Sequence, residues 1–198
     1  MPRFLLALAP LAAVGLLAAS CTDQTAAIRF GDETVSEDDL LDELEALAST
    51  AGDAADEPGQ YPRGELEDSY DQGFAGQVVT QRLQFMIFDQ IFEDEDLELT
   101  QADRDQVRGQ LEGDPSFLAL PSDYQESFVQ DIAKRQAVQA TLDPPALNDA
   151  IAEVVDTNDI EISSRFGTWD PLQGVVPPEG PLQPGGGETP DDTPLPEG

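Results

Sequence analysis

The longest apolar segment beyond the N-terminal region places the strongest constraint on the fold. It runs from Tyr70 to Phe92, and seven of the ten positions from Leu83 to Phe92 are apolar. No single face of a helix holds that many apolar side chains, so neighbours must bury this helix on several sides. An acidic run at 93–96 ends it. We therefore predict a central helix surrounded by other helices.

Capping residues and the spacing of apolar residues predict the surrounding elements. Ser36 and Thr100 each precede an aspartate by three positions, which is close to the capping-box pattern that begins a helix. Pro144-Pro145 breaks the last long helix. The predicted elements are a strand at 26–30, a polar turn at 31–34, helices at 36–47, 70–92, 100–111, 122–142 and 147–155, and a strand at 160–162.

The predicted fold class is mainly α, with one domain at 27–170. An isolated short strand is unstable, so we expect 27–30 and 159–163 to form a two-stranded antiparallel pairing that joins the two ends of the domain. The stretch 51–66 is rich in Gly, Pro, Asp and Glu and lacks periodicity, which is typical of a mobile acidic loop. A disordered tail is expected at 171–198, because Pro and Gly fill twelve of its last 22 positions.

The first twenty residues have the layout of a secretory signal peptide. Arg3 supplies a positive charge, residues 4–17 are almost all apolar, and small residues at 18–20 precede Cys21. Small residues followed at once by the only cysteine of the chain resemble the bacterial lipoprotein signal. That resemblance implies cleavage before Cys21 and lipidation of Cys21, with a linker at 21–26 and the mature protein anchored to the extracytoplasmic face of the cell membrane. The alternative is an ordinary signal peptide followed by a chance cysteine.

The charge composition excludes several classes of function. The chain has 41 Asp and Glu against 9 Lys and Arg, a net charge of −32, so binding to nucleic acid through phosphate contacts is not expected. It has no histidine, which excludes Ser-His-Asp catalysis, Cys-His catalysis and histidine metal sites. The acidic runs at 93–96 and 156–159 lack the spacing of a calcium-binding loop, and we interpret them as solvated surface. No metal or other cofactor is expected.

Both ends of the predicted domain carry a distinctive pattern. Residues 28–40 combine a short strand, a polar turn with Gly31 and a hydroxyl residue that opens an acidic helix. At the other end, a strand is followed by Arg165-Phe166-Gly167-Thr168-Trp169. The two patterns resemble the N-terminal chaperone domain of the SurA/PrsA group of extracytoplasmic peptidyl-prolyl isomerases, in particular SurA-like actinobacterial lipoproteins. The resemblance implies a helical shell whose apolar grooves hold unfolded or partly folded secreted proteins.

One departure from that group concerns catalysis. Its enzymes carry a parvulin-type isomerase domain before the closing strand, whereas only residues 143–158 separate the last long helix from that strand here. An independent domain needs at least about 50 residues, and the histidines of the parvulin active site are absent. We therefore expect a non-catalytic chaperone, or holdase, for secreted or envelope proteins. The alternative is a structural or adaptor lipoprotein that binds one folded envelope partner.

Five aromatic residues are candidates for client binding. Four phenylalanines form a stripe on the central helix, which fits either a buried core or a peptide groove. Trp169 either anchors a partner or seals the core, with Gly167 providing the turn. An open apolar groove would favour the chaperone, and a closed bundle would favour the adaptor. The candidate client-binding residues are Phe74, Phe85, Phe88, Phe92 and Trp169.

Overall fold

The computed structural model describes residues 25–170 and 173–184, and this part of the chain is mainly helical, as predicted. The predicted signal peptide and Cys21 lie outside the described residues. The helices are α1 (Glu37–Ala48), α2 (Gln72–Asp94), α3 (Gln101–Leu111), α4 (Pro115–Ala119), α5 (Ser122–Thr141) and α6 (Pro144–Thr157). The strands are β1 (Ala26–Phe30), β2 (Glu33–Ser36), β3 (Ile160–Ile162), β4 (Thr168–Asp170) and β5 (Gly174–Val176). None of the described helices is long and apolar enough to cross a bilayer.

Helix α2 is the centre of the domain, which confirms the prediction from its apolar content. It contacts α1, α5 and α6 as well as strands β1 and β5. Asp71 caps its first turn by accepting a hydrogen bond from the Phe74 backbone N–H at 2.9 Å. A smaller apolar cluster joins α3, α4 and α5 through Val107, Phe117, Leu120, Val129 and Ala133. Neighbouring elements thus cover α2 on several sides, including sides that a helix with a single apolar face would expose to solvent.

The predicted helix starts are confirmed at two caps. The Ser36 hydroxyl oxygen accepts a hydrogen bond from the Asp39 backbone N–H at 3.1 Å. Thr100 and Asp103 form a complete capping box, in which each side chain accepts a hydrogen bond from the other residue's backbone N–H. Helix α6 begins earlier than expected, because Pro144 takes up its first turn. Proline is tolerated there, since the first helical N–H groups have no partner within the helix.

Strand β1 is the middle strand of a three-stranded antiparallel sheet with the order β2-β1-β3. Ile28 lies opposite Ile162 of β3 and opposite Val35 of β2. The sequence predicted a sheet of two strands, but the sheet has three. The third is β2, which includes residues 33 and 34 of the predicted turn. Gly31 turns the chain at a φ of 56°, and a Cβ atom there would lie 2.5 Å from the side-chain oxygen of Asn158. The tight turn that returns β2 along β1 thus depends on glycine.

Residues 173–184 contain a strand and a buried side chain that the sequence did not predict. Strands β4 and β5 form a second antiparallel sheet, although residues from 171 onward were expected to be a disordered tail. Leu182 is buried and exchanges two backbone hydrogen bonds with Tyr70, at 2.8 and 2.9 Å. Gly167 permits the approach of β5, because a Cβ atom there would lie 2.8 Å from the Val176 carbonyl oxygen. Apolar Val175 and Leu182 hold residues 173–184 on the domain despite the high Pro and Gly content.

The acidic stretch 51–66, predicted as a mobile loop, is mostly exposed but makes specific contacts with the rest of the domain. Its first part continues a 3-10 helix at Ser49–Asp56, and Pro62 is fully buried. Both terminal guanidinium nitrogens of Arg63 donate to the carboxylate of Glu45 at 3.1 Å, and the same guanidinium lies 5.0 Å from the centre of the Tyr70 ring. These contacts tie the stretch to the end of α1 and the start of α2.

Candidate functional site

The aromatic stripe on α2 belongs mainly to the core. Phe74, Phe85 and Phe92 are each less than 9% exposed, and Phe88 is half-buried. Phe85 packs edge-to-face against Phe128 of α5, with ring centres 5.9 Å apart. Three of the four candidate phenylalanines therefore cannot contact a client in this conformation. The stripe is explained by burial on several sides, which was one of its two interpretations.

Exposed apolar side chains do not replace the stripe as a client surface. The large ones in the described part of the chain are Tyr61, Leu66, Leu118 and Val176. They lie on three separate segments, namely the 51–66 stretch, α4 and β5. Single exposed apolar side chains are normal on a protein surface. A binding site must therefore be sought in the clefts of the domain.

Trp169, the fifth candidate, lies beside the open edge of the three-stranded sheet. Strand β4 contacts β3 without pairing with it. A cleft of about 570 Å³ lies there, which we call the edge cleft. The half-buried indole of Trp169 packs against the core and also lines this cleft. The other lining residues are Thr25, Ala26, Arg29, Ile160, Glu161, Ile162, Ser163 and Thr168.

The backbone of β3 presents free hydrogen-bonding groups at the edge cleft. The Ser163 N–H donates to the Ala27 carbonyl at 2.9 Å. In this register the backbone N–H and C=O groups of Glu161 and Ser163 point toward β1. Antiparallel pairs alternate, and the N–H and C=O groups of Ile160 and Ile162 therefore point away from β1. No strand of the described part pairs with that edge. Such an edge can pair with another extended chain.

A second cleft follows the N-terminal half of α2 and is called here the α2 cleft. Its volume is about 430 Å³. Val175 and Pro177 supply apolar groups, and Arg135 of α5 supplies a cation. A Cβ atom on Gly76 would lie 3.3 Å from the Pro177 ring, so glycine lets the segment after β5 approach the helix closely. The remaining lining residues are uncharged, namely Gly73, Gln77, Thr80, Gln81 and Gln84.

A group of half-buried ionisable side chains lies between α1, α2 and α5. The Tyr124 hydroxyl donates to Glu43 at 3.0 Å, and Arg82 lies 3.8 Å from Asp131. Burial raises the pKa of Glu43 and raises the pKa of Asp131 to about 6, with Arg82 acting against both shifts. Among the described residues no group of three or more carboxylates is placed to hold a metal ion.

Asp131 makes stability depend on pH in a defined direction. Its pKa is about 6 in the folded state against 3.8 as the ordinary value, so the native state binds more protons between these values. The free energy of unfolding should therefore rise as pH falls through 6 and level off near 4, by about 1–2 kcal/mol after allowance for partial exposure. Asp89 and Lys134 also act on this carboxyl, in opposite directions.

Chemical denaturation at pH 7 and pH 5 measures this dependence. Because the carboxyl is only partly titrated between these two values, Asp131→Asn should reduce the stability gained on going from pH 7 to pH 5 by about 0.5–1 kcal/mol relative to the parent. Asp149→Asn removes an exposed carboxylate from α6 and should leave the gain unchanged. An Asp131→Asn variant with the parent's full gain would contradict the prediction.

Comparison with known proteins identifies no relative: no known protein family, curated protein or solved structure matches this chain. The resemblance to SurA/PrsA proteins therefore depends on its two end segments alone.

Sequence reasoning selected Trp169 and overlooked the α2 cleft. One signal was available, because residues 72–88 contain no Asp or Glu in a chain with 41 of them. This stretch without acidic residues contains every α2 residue that lines the cleft, including the three glutamines. The position of Arg135 across the cleft depends on how α5 packs, which no local pattern predicts.

Proposed function

We propose that this protein is a membrane-anchored, extracytoplasmic lipoprotein that holds extended segments of unfolded secreted or envelope proteins without catalysing a reaction. The observation that supports this most directly is the open edge of β3 beside Trp169. In this proposal the pairing of β1 with β3 closes the helical domain and fixes the edge in place. The lipid on Cys21 provides the anchor.

The proposed mechanism is pairing of a client backbone with β3. The outward N–H and C=O groups of Ile160 and Ile162 would bond to the client main chain, and Trp169 would pack against a client side chain. Every polypeptide has the same backbone, so this recognition suits clients of unrelated sequence. The edge strand is only three residues long, which keeps each contact weak and reversible. The apolar stripe of α2 plays no direct part.

The net charge of −32 suits this role. Like charges on chaperone–client complexes repel one another and keep them in solution. A basic client would be attracted nonspecifically to the negative surface of this protein, so an aggregation experiment should use an acidic client.

The direct experiment is suppression of aggregation of a reduced, unfolded, acidic secreted protein, followed by light scattering. We expect the parent protein to slow aggregation at a few-fold molar excess, and Trp169→Ala to lose most of this effect. Leu118→Ala, which removes an exposed apolar side chain from α4, should behave like the parent. Failure of the parent at several-fold excess would contradict the holdase proposal.

A peptide experiment tests the backbone mechanism separately. An extended peptide should bind, whereas the same peptide methylated on alternate backbone nitrogens along its pairing edge should not, since strand addition requires those N–H groups. Equal binding of both peptides would show that the edge of β3 is not used.

The second candidate is an adaptor that binds one folded envelope partner. Burial of Phe74, Phe85 and Phe92 favours it, because these three side chains of α2 are then not available to unfolded chains. An adaptor would bind a single folded protein saturably with fixed stoichiometry and would have no effect in the aggregation experiment.

A further inference from the structure

The basic side chains of the described part are paired with carboxylates, with two exceptions. Six of them form ion pairs: Arg29, Arg63, Arg82, Arg108, Lys134 and Arg165. Of the other two, Arg104 is on α3 and bonds only to Gln101, at 3.4 Å. Arg135 on α5 has neither an ion pair nor a hydrogen bond to any described residue. In a chain so rich in carboxylates, an arginine without one needs an explanation.

Arg135 is placed to meet a ligand. Its side chain is half-buried and lines the α2 cleft. Its Nε atom is buried and has no hydrogen-bond partner among the described residues. The two terminal guanidinium nitrogens are not buried and also have no hydrogen-bond partner among the described residues, so an acceptor that enters the cleft would meet these donors.

The remainder of the α2 cleft complements an anionic group on an otherwise neutral chain. Gln77, Gln81 and Gln84 recur at helical spacing and share one face of α2. The side-chain oxygen Oε1 of Gln77 accepts a hydrogen bond from the Tyr61 hydroxyl at 3.3 Å. The side-chain NH₂ group of Gln77 therefore remains available as a donor. Val175 and Pro177 offer apolar contact. No carboxylate lines this cleft, in contrast to the edge cleft and the cleft beside Glu43.

We propose that the α2 cleft binds a peptide carboxylate, with the Arg135 guanidinium as its partner and the glutamine amides as hydrogen-bonding groups for the adjoining main chain. Guanidinium presents two parallel donors that match the two oxygens of a carboxylate. A volume of about 430 Å³ is sufficient for a short segment of chain. The strongly negative protein repels multiply charged anions most, which favours a group of single charge. The site is separate from the edge of β3 and does not depend on holdase activity.

The carboxylate has two sources, a peptide C-terminus or an acidic side chain, and three probes distinguish them. Each is a short N-acetylated peptide of serine, threonine and valine, measured by isothermal titration calorimetry. The first has a free C-terminal carboxylate, the second is amidated, and the third is amidated and contains one glutamate. We expect the first, the third or both to bind at least about tenfold more tightly than the second. Equal affinity for all three, or no binding of any, would overturn the proposal.

Variants at two arginines locate the site. Arg135→Gln should weaken binding of the favoured peptide by about tenfold to a hundredfold, since it removes a charge-assisted hydrogen bond. Arg135→Lys keeps the charge without the paired donors, so its affinity for the peptide should lie between those of the parent and of Arg135→Gln. Arg104→Gln removes the same charge from α3, outside the cleft, and should change the affinity by less than about twofold.

Circular dichroism verifies that each variant is folded, and Arg135→Lys serves as the test if Arg135→Gln is not. Equal weakening by the Arg104 and Arg135 variants would mean that net charge alone matters, and would refute the site. Unchanged affinity in the Arg135 variants would refute it as well. Neither result depends on the aggregation experiment, so this proposal and the holdase proposal can fail separately.

Discussion

Replacing Phe166 with alanine should lower the free energy of unfolding by about 3–5 kcal/mol. Phe166 is fully buried in the main apolar cluster, although it lies on the short connection between β3 and β4. Its backbone N–H donates to the Ser163 carbonyl at 2.8 Å, which holds the ring over the core. The truncated side chain would leave a cavity that the surrounding helices and strands cannot fill by a small shift.

Chemical denaturation of the parent and of two variants measures this effect. Phe88→Ala is the matched control, because it deletes the same group from a half-buried position and should lose less stability. An Arg165→Ala variant is unsuitable for that purpose, since Arg165 pairs with Glu37 at 2.5 Å and also lies over the Phe166 ring. Phe166→Ala losing no more stability than Phe88→Ala would show that the connection does not contribute to the core.

Replacing Cys21 with serine should move nearly all of the protein from the membrane fraction to the soluble fraction. A lipidated cysteine holds a protein through its acyl chains, each buried methylene contributing about 0.8 kcal/mol. Serine cannot be lipidated in the same way.

Membrane fractionation of the full chain expressed in a bacterium tests this, with mass spectrometry of the mature N-terminus. Ser20→Ala keeps a small residue before the cysteine and should stay with the membrane. Cys21→Ser protein that remains in membranes after a high-salt wash would contradict the anchor. A parent protein without attached lipid would indicate the ordinary signal peptide instead.

The parts of the fold that were predictable are those with strong local signals. The apolar content of α2 and the caps at Ser36 and Thr100 depend on neighbouring residues only, and each was predicted correctly. Strand β2 was missed because its four residues are too few to show an alternation against the polar turn. Leu182 was missed because its partner Tyr70 is distant in the sequence, and a Pro/Gly-rich segment gives no local sign of burial.

The candidate sites were less predictable than the fold. Trp169 was selected because it is the only tryptophan, yet its position beside a free strand edge depends on how β4 packs near β3. Arg135 was not selected at all, since its isolation from carboxylates exists only in three dimensions. The phenylalanines of α2 were ambiguous because aromatic spacing alone does not distinguish a core from a groove.

Thr25 is the first described residue and lines the edge cleft, so the short chain between it and Cys21 limits how far the cleft can lie from Cys21. Four peptide units separate Thr25 from Cys21, and a fully extended chain advances at most about 3.6 Å per residue. A lipid on Cys21 would therefore hold this end of the domain within about 15 Å of the bilayer surface. Large folded proteins have little room there. If the protein is the lipid-anchored holdase proposed above, a newly exported segment would meet the free strand of β3 before it had space to fold.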